Sequence, residues 1–264
     1  MNACAEISLK QFPKMLLFEL RPVIFGWRIL ALAAVTVLML AGAAVAPPLY
    51  TEFADSLWDR KMKTFLFMVP ALVFIIPAIL LSDSISSQFE SGTGTVILSK
   101  PVSRYTVFAS KYTAAFIVGT VFALIYIACA ATVVRIEYGK IPDLSVTVGL
   151  TISCLFFSCG LAVFISSVSP KTSISVIIML ALAVLVIFLM PAPEVFPSEP
   201  WYLPSYLIDA ISSDIGKGFY FVTYDTHGIR PHYVPDSAVS AAVMLIYGSI
   251  LTIAASAVYR LRNF

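Results

Sequence analysis

Charge is what this chain has least of. Asp, Glu, Lys and Arg make up 12% of its 264 residues, about half the roughly 25% usual in soluble domains. Hydrophobic residues reach 59%, and the mean hydropathy is +0.93. No soluble core needs that much apolar sequence at this length, so the class expected is a polytopic membrane protein. The net charge of +2 is too small to draw nucleic acid.

Chemistry is scarce as well. Cys4, Cys129, Cys154 and Cys159 have no zinc-ligand spacing, and three of them fall inside apolar runs. They read as small apolar fillers. Gly216-Lys217 lacks the preceding glycine and the following Ser or Thr of a phosphate-binding loop. No HExxH and no GxSxG occurs. The apolar runs hold no ionisable residue near their centres, which argues against an ion-coupled carrier. His227 and His232 stand five apart, near Asp225 and Asp236. A metal site there is one reading, and two solvated loop histidines is the default. No metal and no cofactor is expected. Lys10, Lys14, Glu19, Arg21 and Arg28 interrupt the N-terminal stretch, so no cleavable leader is expected either.

What is present is a set of six apolar runs, each near the roughly 20 residues that a spanning helix needs. They cover 29–49, 65–81, 105–134, 144–168, 173–191 and 238–259. The third exceeds what a bilayer requires, and its first turns around Lys111 are expected in the cytosolic headgroup zone. The fold class expected is an all-α membrane protein with six transmembrane helices. An N-terminal interfacial helix in 1–28 precedes a single membrane domain in 29–264.

Lys and Arg in the flanks set orientation. With the N-terminus inside, ten of the 17 basic residues are inside: Lys10, Lys14, Arg21, Arg28, Lys100, Arg104, Lys111, Lys171, Arg260 and Arg262. Arg60, Lys61 and Lys63 pull the other way. Both termini are then expected in the cytosol of a cell-membrane protein.

On a helical wheel Lys10, Lys14 and Arg21 fall within about 40° of one another, opposite Leu9, Phe12, Leu16, Leu20 and Val23. That stripe suits a helix in the interface with its basic groups toward lipid phosphate. A plain positively charged flank is the alternative. Pro13 is expected in the first turn of this helix, and Pro22 at its end or kink.

The longest polar segment, 192–236, is expected outside. It is acidic and rich in aromatics, among them Trp201, Tyr202, Tyr206, Phe219 and Tyr233. Residues 201–213 read as one apolar helix too short to span. The aromatics fit a membrane-interface belt or contacts to a substrate. Gly42 with Ala46, and Gly248 with Thr252 and Ser256, give a small-xxx-small spacing that permits close helix packing or dimerisation.

The inner segment 82–104 stands apart. Ser82, Asp83 and Ser84 are candidate caps for a short helix through Ile85 and Phe89. Glu90-Ser91-Gly92-Thr93 breaks that helix, and Leu98-Ser99-Lys100-Pro101-Val102-Ser103-Arg104 leads into the third run. This pattern resembles the permease subunits of ABC transporters of the ABC-2 type, in the branch of NosY-like permeases. Glu90, Gly92, Thr93, the stretch from Leu98 to Arg104, and Lys111 match the family pattern. Ser110 departs from it, where glycine is usual. The resemblance implies that this segment is a cytosolic coupling helix and loop, fitted to a groove on a separate ATP-binding subunit. The docking set it implies is Asp83, Glu90, Gly92, Thr93, Lys100, Pro101 and Arg104. It further implies an exporter without its own ATPase motif, working as a homodimer or as a heterodimer with a related permease. Substrates of such exporters range from lipids and polysaccharides to peptides and drugs. The bland reading of Lys100 and Arg104 is an anchor of the third span at lipid phosphate. A different class of function also fits: a membrane-integral enzyme or accessory factor acting through the outer loop, with Asp209, Asp214, His227 and His232 as its candidates.

Overall fold

The computed structural model describes residues 2–46, 57–90, 103–139, 143–189, 201–213 and 236–261. Helix is the only regular structure among them. The elements are α1 (Asn2–Ile24), α2 (Trp27–Val45), α3 (Leu57–Leu80), α4 (Ser86–Glu90), α5 (Arg104–Tyr138), α6 (Ser145–Val168), α7 (Thr172–Leu189), α8 (Pro204–Ser213) and α9 (Ser237–Leu261). Five of these are long and apolar enough to cross a membrane: α2, Lys61–Leu80 of α3, α5, α6 and α9. In α7 the apolar stretch with described side chains, Thr172–Leu185, is shorter.

Burial orders the bundle. The apolar window of α3 is 78% buried and that of α6 61%, against 39% for α5, 22% for α9 and 17% for α2. So α3 and α6 form the centre. Leu30, Val37 and Leu38 of α2 face outward, as do Ile246, Ile250 and Ile253 of α9. In a bilayer such faces meet lipid tails, which are as apolar as the side chains themselves.

Close approach is built from small residues. A Cβ on Gly160 of α6 would lie 2.8 Å from the Gly248 carbonyl oxygen of α9. A Cβ on Gly248 would lie 2.6 Å from the Phe156 ring. Gly248 therefore serves packing within the chain. Helix ends follow the chemistry of their flanks. Ser103 caps α5: its Oγ accepts the Thr106 N–H at 3.1 Å. Gly139 ends α5 in the left-handed region at φ 71, where other residues pay a steric cost. The 35 residues of α5 measure about 52 Å, well beyond the roughly 30 Å of hydrocarbon. Asp143 and Asp236 accept the N–H groups of Ser145 and Ala238, at 3.1 and 2.9 Å.

The structure departs from the sequence expectations in several places. Pro13 lies inside α1, which begins at Asn2, and not in its first turn. It removes one ladder bond there, and the helix runs on to Ile24. Pro22 falls in the last turn, and α2 begins after only Phe25 and Gly26. A Cβ on Gly26 would lie 2.3 Å from the Pro22 carbonyl oxygen, so only glycine fits that corner. The second apolar run begins earlier than 65, because α3 continues back through Lys61 and Lys63, both buried. Lys61 Nζ donates to the carbonyls of Ala44 at 2.6 Å and Ala46 at 3.1 Å. A cation that counts against the orientation rule is thus spent on the carbonyl end of α2, where the helix dipole favours it. The short helix within 201–213 is α8. Tyr206, Leu207, Ile208, Ala210 and Ile211 bury it against α3, α6 and α9.

Candidate functional site

The segment after α3 is bound into one end of the bundle. Pro70 and Pro77 lie within α3. The Pro77 carbonyl receives both Leu81 N–H at 2.8 Å and Ser82 N–H at 3.1 Å, so the last turn widens into a π-type turn and the helix stops. The expected capping residues do not cap α4. Ser82 Oγ donates back to Ala78 O, and Ser84 Oγ donates to Leu81 O at 2.9 Å. The cap comes from Ser166, near the end of α6. Its Oγ accepts the N–H groups of Ile85 and Ser86, each at 3.1 Å. A hydroxyl 80 residues away in sequence thus satisfies the orphan donors of a five-residue helix.

The other end of α4 grips α7. Glu90 accepts both the N–H of Thr172, at 3.0 Å, and its hydroxyl. This carboxylate caps α7 across 82 residues of sequence. The Thr172 hydroxyl and amide hold Glu90 below the usual carboxylate range, aided by Lys171 nearby. Between these contacts, Gln88 Oε1 accepts the Tyr259 hydroxyl of α9 at 3.2 Å. One short helix therefore bonds to α6, α7 and α9.

A second set of contacts ties this end to α1, α2 and α5. Arg28, at the start of α2, pairs with Asp83. Burial raises the pKa of Asp83, and the guanidinium opposes that rise without cancelling it. Lys111 of α5 meets Glu19 of α1 at 3.5 Å. Arg104 donates to the Arg260 carbonyl at 3.1 Å, and the Arg260 guanidinium donates to the Tyr105 hydroxyl at 3.4 Å. The start of α5 is thereby locked to the end of α9.

Of the seven residues expected to dock a partner, Asp83, Glu90 and Arg104 lie at this one end of the bundle. Gly92, Thr93, Lys100 and Pro101 fall outside the described residues, as do Asp214, His227 and His232. Asp209 lies on α8, and its side chain is outside the described set. Sequence reasoning missed Ser166, Thr172, Gln88 and Tyr259. A cue existed for two of them. Ser166, Ser167 and Ser169 cluster where the fourth apolar run ends, and Pro170-Lys171 marks the start of the next helix.

The sequence pattern of a family described as ABC-2 family transporter protein matches residues 51–257. A comparison with curated proteins returned no match.

Proposed function

The chain belongs to the ABC-2 family of transporter proteins, and is thus a multi-pass membrane permease subunit of an ABC transporter; on that premise we propose that it is the membrane half of an exporter driven by a separate cytosolic ATP-binding subunit. The subunit docks on α4 and on the segment from Glu90 to Arg104. Within the family the chain stands beside the NosY-like permeases, on the strength of the motif from Leu98 to Arg104. Six helices cross the bilayer, with α7 as the fifth, and both termini are cytosolic. Helix α1 lies in the cytosolic interface. Lys14 and Arg21 are exposed there, Leu20 and Val23 pack on the bundle, and Leu17 and Phe18 are left open to lipid.

One observation carries this reading: α4 is bonded at once to α6 through Ser166, to α7 through Glu90 and to α9 through Gln88. A push on so short a helix reaches three helices without passing through a flexible joint. The chain works as a pair, with itself or with a related permease.

The test is co-purification with its cognate ATP-binding subunit. Gly92→Trp and Lys100→Glu should leave the chain inserted but lose the complex by more than about tenfold, the scale of a lost charge-assisted docking contact. Asp143→Asn, at the opposite end, should assemble normally. If both loop variants hold the ATPase at the native level, the docking assignment is wrong.

A further inference from the structure

We propose that the cavity beneath α1 binds the headgroup of a zwitterionic phospholipid, one carrying a phosphodiester and a primary ammonium. This inference rests on the chain being a membrane protein and not on its being driven by an ATPase.

The cavity has a volume of about 300 Å³ and opens where α1 crosses the starts of α2 and α5. Its walls are of two kinds. Val23, Trp27, Leu81 and their neighbours are apolar, while Glu19, Arg28 and Lys111 are charged. These charges are largely shielded from water: the side chains of Arg28, Lys111 and Glu19 are 30%, 17% and 16% exposed.

The donors there exceed their contacts. A guanidinium carries five N–H groups and an ammonium three. Among the described residues, Arg28 bonds only to Asp83. Lys111 has its one close ion pair with Glu19, at 3.5 Å, longer than the roughly 2.7–2.9 Å of a good charge-assisted bond, and its charge also acts on Asp83. Two half-used cations in a shielded cavity suit the oxygens of a phosphodiester. Glu19 sits across from Lys111 with acceptor capacity to spare, which suits an ammonium. Because Arg28 and Lys111 are balanced by Asp83 and Glu19, the site has no net charge with which to collect a free anion. It does present both signs at once, which a zwitterion matches.

The apolar walls say where the ligand comes from. A soluble zwitterion gains nothing from the exposed face of Trp27, whereas the glycerol and first methylenes of a lipid would cover it. Leu17 and Phe18 of α1 and Leu30 of α2 are exposed nearby along the same two helices. A lipid could therefore enter from the side without crossing water.

The full chain, reconstituted in nanodiscs with equal phosphatidylethanolamine, phosphatidylglycerol and phosphatidylcholine, would be moved to detergent and weighed by native mass spectrometry. Retained phosphatidylethanolamine in excess of the other two classes is expected. The double variant Glu19→Leu, Lys111→Met removes an ion pair without orphaning either charge. It should lower retention about tenfold, the scale of a hydrogen bond to a charged group. Ala114→Leu, which fills the cavity and touches no charge, should do the same. Lys111→Arg should keep the lipid. Retention in the proportions of the mixture, or retention at the native level by the filled and double variants, would overturn the proposal. So would displacement of the lipid by millimolar inorganic phosphate, which would make the site one for free anions.

Discussion

The two ends of the bundle use their polar residues differently. At the α4 end, side chains reach across helices: Ser166 to α4, Glu90 to α7, Gln88 to Tyr259, Arg28 to Asp83, Arg104 to α9. At the other end, Asp143 and Asp236 turn back on their own helices. There Lys61 closes the carbonyl end of the neighbouring α2, and Tyr247 reaches the Tyr202 carbonyl at 3.0 Å. One end is a web of cross-helix bonds; at the other, two helices are capped by their own residues and fewer bonds cross. A web shares a displacement among its members. A helix end capped by its own residues is tied less tightly to its neighbours. Under the proposed function, a push delivered at the α4 end would reach several helices at once.

The largest effect should come from cutting the web at the pair of Arg28 and Asp83. Arg28→Ala leaves the Asp83 carboxylate shielded and without its ion-pair partner. Such an orphan costs about 3–5 kcal/mol when fully buried, and about half that here because both partners keep some exposure. The unfolding temperature in detergent should fall by roughly 5 °C, at about 2–4 °C per kcal/mol for a chain of this size. The double variant Arg28→Leu, Asp83→Leu should recover most of the loss. If the single variant melts like the native chain, the pair contributes no more than an ordinary surface contact.

The lone-end counterpart is smaller and local. Lys61→Met removes the two bonds to Ala44 and Ala46, but it also removes the cost of burying an ammonium. A net loss of about 1 kcal/mol is expected. Hydrogen exchange should rise at the amides around the end of α2 and stay unchanged in α6, α7 and α9. Faster exchange spread through those helices would show that this end is webbed too, and the contrast would fail.

The difference between the ends also marks what was legible. Apolar runs, the flanking cations and the break after Phe89 are local signals, and they announced a helical membrane protein, a short helix ending at Glu90 and a further short helix within 201–213. The matched family pattern lay in the same order of residues. What was illegible is long-range. Nothing in periodicity says that Ser166 will cap α4 or that Glu90 will cap α7, because a side chain's partner is chosen by packing across 80 residues. The Lys61 contact was hidden for a related reason. Counting cations in loops treats each as solvated, and burial at a helix end breaks that assumption. The caps expected at Ser82, Asp83 and Ser84 failed because the two hydroxyls turn back to the carbonyls of Ala78 and Leu81, and Arg28 takes the carboxylate.

The smallest effect separates the two carboxylates that flank α4. Glu90 is exposed, so its bond to Thr172 adds little to overall stability, but it governs the first turn of α7. Its folded pKa lies below the ordinary 4.5 because the Thr172 hydroxyl and amide favour the ionised form. A depressed carboxylate contributes stability that is present above its unfolded pKa and lost as pH falls through its folded pKa. Asp83 has the opposite sign. Burial raises its pKa above 3.8, so its contribution is present at low pH and declines as pH rises through that range. Protection of the Thr172 amide should therefore hold from neutral pH down to about 4.5 and then fall, while the pairing of Arg28 with Asp83 follows its own transition, with the opposite sign. Glu90→Gln should show weakened protection of Thr172 at every pH and no step below 4.5. Glu90→Lys adds like charge beside Lys171 and should weaken that turn further, so an uncoupled phenotype from that variant would mix lost docking with a frayed α7. Protection of Thr172 that stays constant through the acid range in the native chain would mean that the cap does not depend on the charge of Glu90. The link from α4 to α7 would then rest on packing alone.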